Sequence, residues 1–197
     1  MKLVGEHFQL RQRQRLAILS SSCTDRFRES RKKNHRLLNE LVGRQLGIDG
    51  LYCISTVAAA ILGGVLFRGR DGGLRELPLP KRPESYLAEE TIRAIGLLSN
   101  LLSGSQLKQV VWFLDKTTST SSLVREELEG LSSAAKWPWN VEVVTLRDQR
   151  LPNFEGTIAT TDYTLLDRLN EWIDLPSVVV DRFLPGAWIV DLTDPTT

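Results

Sequence analysis

Apolar and polar positions follow two rhythms along this chain. Gln109–Leu114 is a short continuous apolar run (Val110-Val111-Trp112-Phe113-Leu114), the signature of a strand buried on both faces. Gln45–Gly50 is a weaker run of the same kind, ending in an acid and a glycine. Val141–Leu146 and Thr157–Thr160 predict two more strands, and Val178–Val180 and Trp188–Val190 two short closing ones. Between them lie helical patterns. Leu51–Leu62 is Ala-rich and apolar all round, as a buried helix is. In Tyr86–Leu102, Ile92, Ile95, Leu98 and Leu102 recur at helical spacing behind Ser85, a capping residue type. Ser122–Ala135 and Tyr163–Ile173 read as two further helices. Val65–Arg68 and Leu74–Leu77, joined through Gly69-Arg70-Asp71-Gly72-Gly73, predict a hairpin on the Asp-Gly signal, and Pro78, Pro80 and Pro83 a loop. Strands alternating with helices across short loops predict a three-layer α/β domain with a mainly parallel sheet.

The first part of the chain is different. From Leu3 to about Leu38, Leu10, Leu16, Leu19 and Phe27 form a sparse apolar side among Arg and Gln, predicting two helices interrupted at Ser20-Ser21-Ser22. The expected organisation is a basic helical segment, 1–42, followed by an α/β domain, 43–197. Charge sharpens this division. The formal net charge of +1 seems to dismiss a polyanionic partner, but residues 1–46 hold 11 Lys/Arg against four acids, net +7, and the other 151 residues are net −6.

With 42% hydrophobic and 25% charged residues, the 197-residue chain has the composition of a soluble globular protein. Its longest mostly apolar run, Ile54–Phe67, is broken by Ser55, Thr56 and Gly63-Gly64 and is too short to span a bilayer, so no membrane association is expected. No secretory signal is recognisable, and the expected compartment is the cytoplasm. Cys23 and Cys53 make neither a disulfide framework nor a zinc site, and His7 and His35 are too few for a His-rich metal centre. No Gly-rich Walker sequence is present. An oxygen-ligand site for a hard cation stays open.

Three of the predicted strands run into an acid: Asp49 after Leu46-Gly47-Ile48, Asp115 after Trp112-Phe113-Leu114, and Asp162 after Ile158-Ala159-Thr160-Thr161. In a parallel sheet the carboxyl ends of the strands share one edge, where ligands bind, so the three carboxylates are expected to converge. Crowded carboxylates repel, and a divalent cation relieves that repulsion while acidifying a bound water. Each Asp alone can also be read as a turn former or helix cap. Asp167 is a further candidate ligand or a partner of Arg168. Asp191 is a late strand-end acid, and Glu142 and Asp148 read as surface residues.

On these residues the chain resembles a known family. Gly47-Ile48-Asp49-Gly50-Leu51-Tyr52 is similar to the Asp-Gly-Tyr-Asn opening of NYN domains, a branch of the PIN-like metal-dependent nucleases. Phe113-Leu114-Asp115 and Thr160-Thr161-Asp162 resemble two further acid-ending strands of that fold. From Lys2 to Leu192 the chain also resembles a bacterial and archaeal family classed as a domain of unknown function. The shared features are the Arg-Gln-Arg helix, Ser-Ser-Cys-Thr-Asp at 21–25, Leu166-Asp167-Arg168 and Trp188-Ile189-Val190-Asp191-Leu192. The PIN-like resemblance implies a Rossmann-like three-layer fold and RNA hydrolysis with Mg2+ or Mn2+. Asp49, Asp115 and Asp162 are the implied catalytic and metal-binding residues; Asp167 is a candidate metal ligand from its position alone, five residues after Asp162. The chain departs from the NYN pattern where Leu51 stands for the expected Tyr and Tyr52 for the expected Asn.

Two other features bear on a phosphate ligand. The hydroxyl-rich loop after Asp115, with Ser119, Ser121 and Ser122, can be read as a phosphate-positioning loop or as a simple helix cap. Arg11, Arg13, Arg15, Arg28, Arg31, Lys32 and Arg36 of the basic segment are candidate RNA-backbone contacts, with Arg28, Lys32 and Arg36 able to share a helical face. The same segment could instead pack on its own acidic body. Trp137-Pro138-Trp139 could stack bases or pack on the sheet edge. The expected function is a metal-dependent ribonuclease; the alternative is a non-catalytic RNA-binding or protein-interaction module.

Overall fold

A computed structural model describes residues 2–77, 84–118, 120–145 and 147–193. The Pro78–Pro83 loop, Ser119 and Leu146 lie outside the described residues, as does the side chain of Ser85. Three helices, α1 (Lys2–His7), α2 (Gln12–Ser21) and α3 (Asp25–Asn34), form the basic segment, one more than its pattern predicts. The additional break falls after His7, where Gln9 takes a positive φ of 49° and Arg15 closes the turn by donating to the Leu10 and Gly5 carbonyls. Thr24 caps α3 by accepting from the Phe27 N–H.

Strand β1 (Gln45–Asp49) then leads into helix α4 (Gly50–Ile61), and β2 (Leu66–Arg68) and β3 (Leu74–Glu76) form the expected antiparallel hairpin. Helix α5 (Glu84–Ser103), β4 (Gln109–Asp115), α6 (Ser121–Ala135) and β5 (Trp139–Val144) follow. A short helix α7 (Arg147–Arg150), β6 (Thr157–Ala159), β7 (Trp172–Ile173), α8 (Leu175–Phe183) and β8 (Ile189–Asp191) complete the described chain. The main sheet has the order β5-β4-β1-β6-β7 with every pairing parallel, and β3-β2-β8 form a smaller sheet.

Alternation along β4 explains the layers. Val110, Trp112 and Leu114 enter the larger core, built with α4, α5, α6 and α8. Val111 and Phe113 enter a second core on the opposite face, with Leu151, Ile158, Leu165, Leu166 and Trp172. The sheet is therefore covered on both sides, as an all-parallel sheet must be. Gly47 belongs to the second face, where a Cβ would stand 2.6 Å from Ile158 Cδ1 and 3.0 Å from a Phe154 ring carbon. Side chains alternate along a strand, so Asp49 projects to that same face, the face α7 covers.

Two sequence expectations are corrected. Tyr163–Ile173 is not a helix: a 3-10 turn spans Leu166–Arg168, and Trp172-Ile173 pairs with β6 as the edge strand β7. Val178–Val180 is not a strand but lies inside α8. There Asp174 accepts from the Ser177 N–H and Pro176 occupies the first turn, so a strong helix start outweighs the β preference of three valines.

The basic segment is built onto the domain. Arg31, only 4% exposed, donates to both Asp167 oxygens at 2.7 Å, to Asp71 Oδ2 at 2.6 Å and to the Tyr163 carbonyl. The indole N–H of buried Trp172 donates to the Arg31 carbonyl, and Arg36 pairs with Glu171 at 3.0 Å.

Candidate functional site

The strand order reverses at β1, because the chain leaves it toward β4 on one side and returns at β6 on the other. Such a switch point opens a crevice at the carboxyl ends of the strands. A cavity of about 730 Å³ lies there, lined by Tyr52, Arg75, Asp115, Arg147, Thr161 and Asp162 among others. Asp49 ends β1, is fully buried, and is paired with Arg147 of that lining.

Asp49 and Asp162 converge on a residue that the motifs did not single out. Arg147 donates from Nη1 to Asp49 Oδ2 and, at 2.7 Å, from Nη2 to Asp162 Oδ2. One guanidinium thus bridges both strand-end acids, a fork geometry that lysine cannot reproduce. Its carbon lies 4.5 Å from the centre of the Tyr52 ring. Burial works against the charged guanidinium, yet Asp49 and Asp162 outweigh it and hold its pKa above the ordinary value. Its position was legible in one respect: Arg147 follows β5 at the same edge of the sheet to which Asp49, Asp115 and Asp162 belong.

The two acids are held differently. Thr160 donates its hydroxyl to Asp49 Oδ2 at 2.8 Å, but Asp49 Oδ1 is buried with no hydrogen-bond partner. Burial pushes the Asp49 carboxyl up to about 6, against the pull of Arg147 and Thr160. Asp162 Oδ1 accepts both the Thr164 N–H at 2.9 Å and its hydroxyl at 2.7 Å. Burial raises the Asp162 pKa, but Thr164 and Arg147 more than offset it and keep the group below its usual range.

Asp115 is at the cavity wall, not in the bridge. Its Oδ1 accepts from the Thr117 hydroxyl at 2.7 Å and N–H at 2.8 Å, which lowers its pKa. Among the described residues, no group of three or more His, Cys, Asp or Glu stands close enough to hold a metal ion. The Asp49–Asp162 pair, with one unused buried oxygen, is nonetheless a donor set of the kind Mg2+ takes, one or two carboxylates completed by waters and substrate phosphate.

The other expected site residues fall elsewhere. Asp167 does not join the pair, since both its oxygens serve Arg31. Asp191 stands on β8 in the smaller sheet and is capped by Thr193. Ser121 is buried and donates to the Asp115 carbonyl at 2.5 Å, which takes its hydroxyl out of any phosphate loop. Ser122 is exposed, and Thr118 and Thr120 line the cavity instead. In the basic segment Arg11, Arg13, Lys32 and Lys33 are exposed, Arg28 pairs with Asp25 at 3.7 Å, and Arg15, Arg31 and Arg36 are engaged internally. Trp139 packs against the larger core, 5.7 Å from Trp112, with Trp137 4.5 Å away on its other side.

Residues 38–178 match the family described as a domain of unknown function, DUF5616, over well more than half of the chain. The chain belongs to the DUF5616 family. It is also similar to the uncharacterised protein MJ0935 of Methanocaldococcus jannaschii, 24% identical over 170 residues that cover 86% of this chain and 80% of that one. No solved structure matches. The matched span of the DUF5616 domain runs from before β1 into the first turn of α8 and so carries Asp49, Asp115, Arg147 and Asp162, whereas α1–α3 precede it. No helix among the described residues is long and apolar enough to cross a membrane.

Proposed function

We propose that this DUF5616 chain is a PIN-like, divalent-metal-dependent ribonuclease. The observation that carries this reading is the pair of buried carboxylates, Asp49 at the end of β1 and Asp162 just beyond β6, which meet at the switch point of an all-parallel sheet beside a cavity that Asp162 lines. The central position of β1 and the acids at or just beyond the ends of β1, β4 and β6 support the PIN-like assignment.

Asp49 and Asp162 would hold Mg2+ or Mn2+. The ion, when bound, supplies an acidified water and a positive charge for phosphodiester hydrolysis. The protein's own part is positional. Thr160 and Thr164 fix the rotamers of the two acids, each with a hydroxyl donated to a named oxygen. Arg75 donates to the Thr161 carbonyl at 2.7 Å and so steadies the turn that carries Asp162. Asp115, with its pKa lowered, is a poor proton acceptor near neutral pH, and its chemistry suits holding a cation or water at the cavity mouth. The exposed Arg11, Arg13, Lys32 and Lys33 are available for RNA-backbone phosphates.

The bridging guanidinium favours a second reading, in which Arg147 has taken the place of the metal and the fold binds RNA without cleaving it. Mn2+-dependent cleavage of single-stranded and structured RNA, with Asp49→Asn as control, separates the two. Cleavage by the wild type that Asp49→Asn abolishes supports the nuclease. Equal residual activity in both overturns it. RNA binding that survives Asp49→Asn, and whose salt slope falls by about one per exposed arm cation removed, then supports the binding module.

A further inference from the structure

Resting on the metal-site reading above, we infer that Arg147 is a displaceable internal plug: its guanidinium and a divalent cation bind the Asp49–Asp162 pair in mutual exclusion. Three observations lead there. Both Oδ2 atoms facing each other across the pair are occupied by the two terminal nitrogens of one guanidinium. Asp49 is 0% exposed and does not line the cavity, whereas Arg147, seated on its Oδ2, does. Finally, the plug is an incomplete match. It carries one positive charge against two carboxylates, and it leaves Asp49 Oδ1 buried without a partner, where a native structure ordinarily satisfies such an atom.

The same cavity offers the guanidinium somewhere to go. Arg147 is carried on a four-residue helix whose Arg150 rests over the Phe113 ring, so the side chain alone, not the helix, has to move. Its guanidinium carbon already lies 4.5 Å from the centre of the Tyr52 ring, and Asp115, its pKa lowered by the Thr117 hydrogen bonds, stands in the cavity wall. Thr118, Thr120 and Ser55 line that space with hydroxyls. A guanidinium swung off the acids would remain inside the cavity, with its fork free for a phosphate. The contact is therefore autoinhibitory toward metal and, once opened, places a cation beside the substrate.

The test is Mn2+ binding to the full chain, read by loss of the free-ion electron paramagnetic resonance signal. Arg147→Gln is expected to bind Mn2+ about 10- to 100-fold more tightly than wild type, the range set by losing one charge-assisted competitor. Arg147→Lys should fall between, because an ammonium cannot bridge the pair in two-pronged fashion. Asp49→Asn should abolish binding in every background. Equal affinities for wild type and Arg147→Gln, both lost on Asp49→Asn, would overturn the plug and leave the metal site standing. No Mn2+ binding by either chain would overturn both, making Arg147 a permanent counter-ion. If circular dichroism shows that Arg147→Gln does not fold, Mg2+ titration of the wild type followed by arginine side-chain NMR decides. The Arg147 Nε–H resonance should move toward that of a free guanidinium. A resonance unmoved at high Mg2+ would refute mutual exclusion.

Discussion

Asp71→Ala should be among the most damaging single substitutions in this chain, though it lies in a hairpin loop. The Asp71 side chain is 2% exposed and sits between two buried guanidinium groups. Its Oδ2 accepts from Arg31 at 2.6 Å and Arg75 at 2.7 Å, and its Oδ1 from Arg75 at 2.8 Å and the Gly73 N–H at 3.1 Å. Burial opposes its ionisation, but the two arginines prevail and keep the carboxyl below its ordinary pKa. Truncation leaves Arg31 with Asp167 and Tyr163, whereas among the described residues Arg75 keeps as hydrogen-bond acceptors the carbonyls of Thr161 and Gly73. Breaking a buried pair from one side costs ~3–5 kcal/mol, because a charge remains buried without its counter-ion. Asp167→Ala should cost less, about 1–2 kcal/mol, because the Asp167 side chain is 25% exposed and Arg31 retains Asp71. Urea unfolding followed by tryptophan fluorescence measures both, with buried Trp172 beside Arg31 as a reporter. A cost below about 1 kcal/mol for Asp71→Ala, or a larger cost for Asp167→Ala, would refute the account of this network as one shared buried counter-ion.

Two further outcomes follow from the core and the buried acids. Gly47→Ala should destabilise by about 1–3 kcal/mol, since the added methyl meets Ile158, Phe154 and Phe113 on a face with no slack; thermal melts of the variant check this. Asp174, buried to 5% exposure and accepting from the Leu74 and Ser177 N–H groups, has its pKa pushed up by burial to about 6, against the pull of Arg75 and Arg68 and with Cys53 nearby. An acid raised in the folded state binds more protons there than in the unfolded chain. Its contribution is therefore fully present below about pH 4 and is lost as pH rises through about 6, a swing of up to ~3 kcal/mol. Urea midpoints should fall more steeply across that window in wild type than in Asp174→Asn, which keeps the like component of Asp49. An identical pH slope in both would exclude Asp174 as its source.

Much of this architecture is legible along the chain because it is local. The buried run at 109–114, the hairpin around Asp71-Gly72 and the acids closing β1 and β4 each depend on side-chain period and turn chemistry within about ten residues. A parallel sheet then obliges the strand-end acids to share an edge, so the neighbourhood of Asp49, Asp115 and Asp162 also follows from pattern. What the pattern left open is what short apolar runs always leave open. Trp172-Ile173 is a strand only because β6 offers it an edge, and Val178–Val180 are helical only because Asp174 and Pro176 start a helix ahead of them. The pairing of charges is decided by tertiary structure alone. Arg147 lies 98 residues from Asp49, and Arg31 lies 136 residues from Asp167. No periodicity links such positions, because an ion pair depends on where folded elements bring two side chains and on how far water is excluded there. The near balance of charge in the composition became, in the folded protein, a set of specific neutralisations. Arg31 and Arg36 were drawn inward, Arg11, Arg13, Lys32 and Lys33 were left in solvent, and one guanidinium was set between the buried acids Asp49 and Asp162.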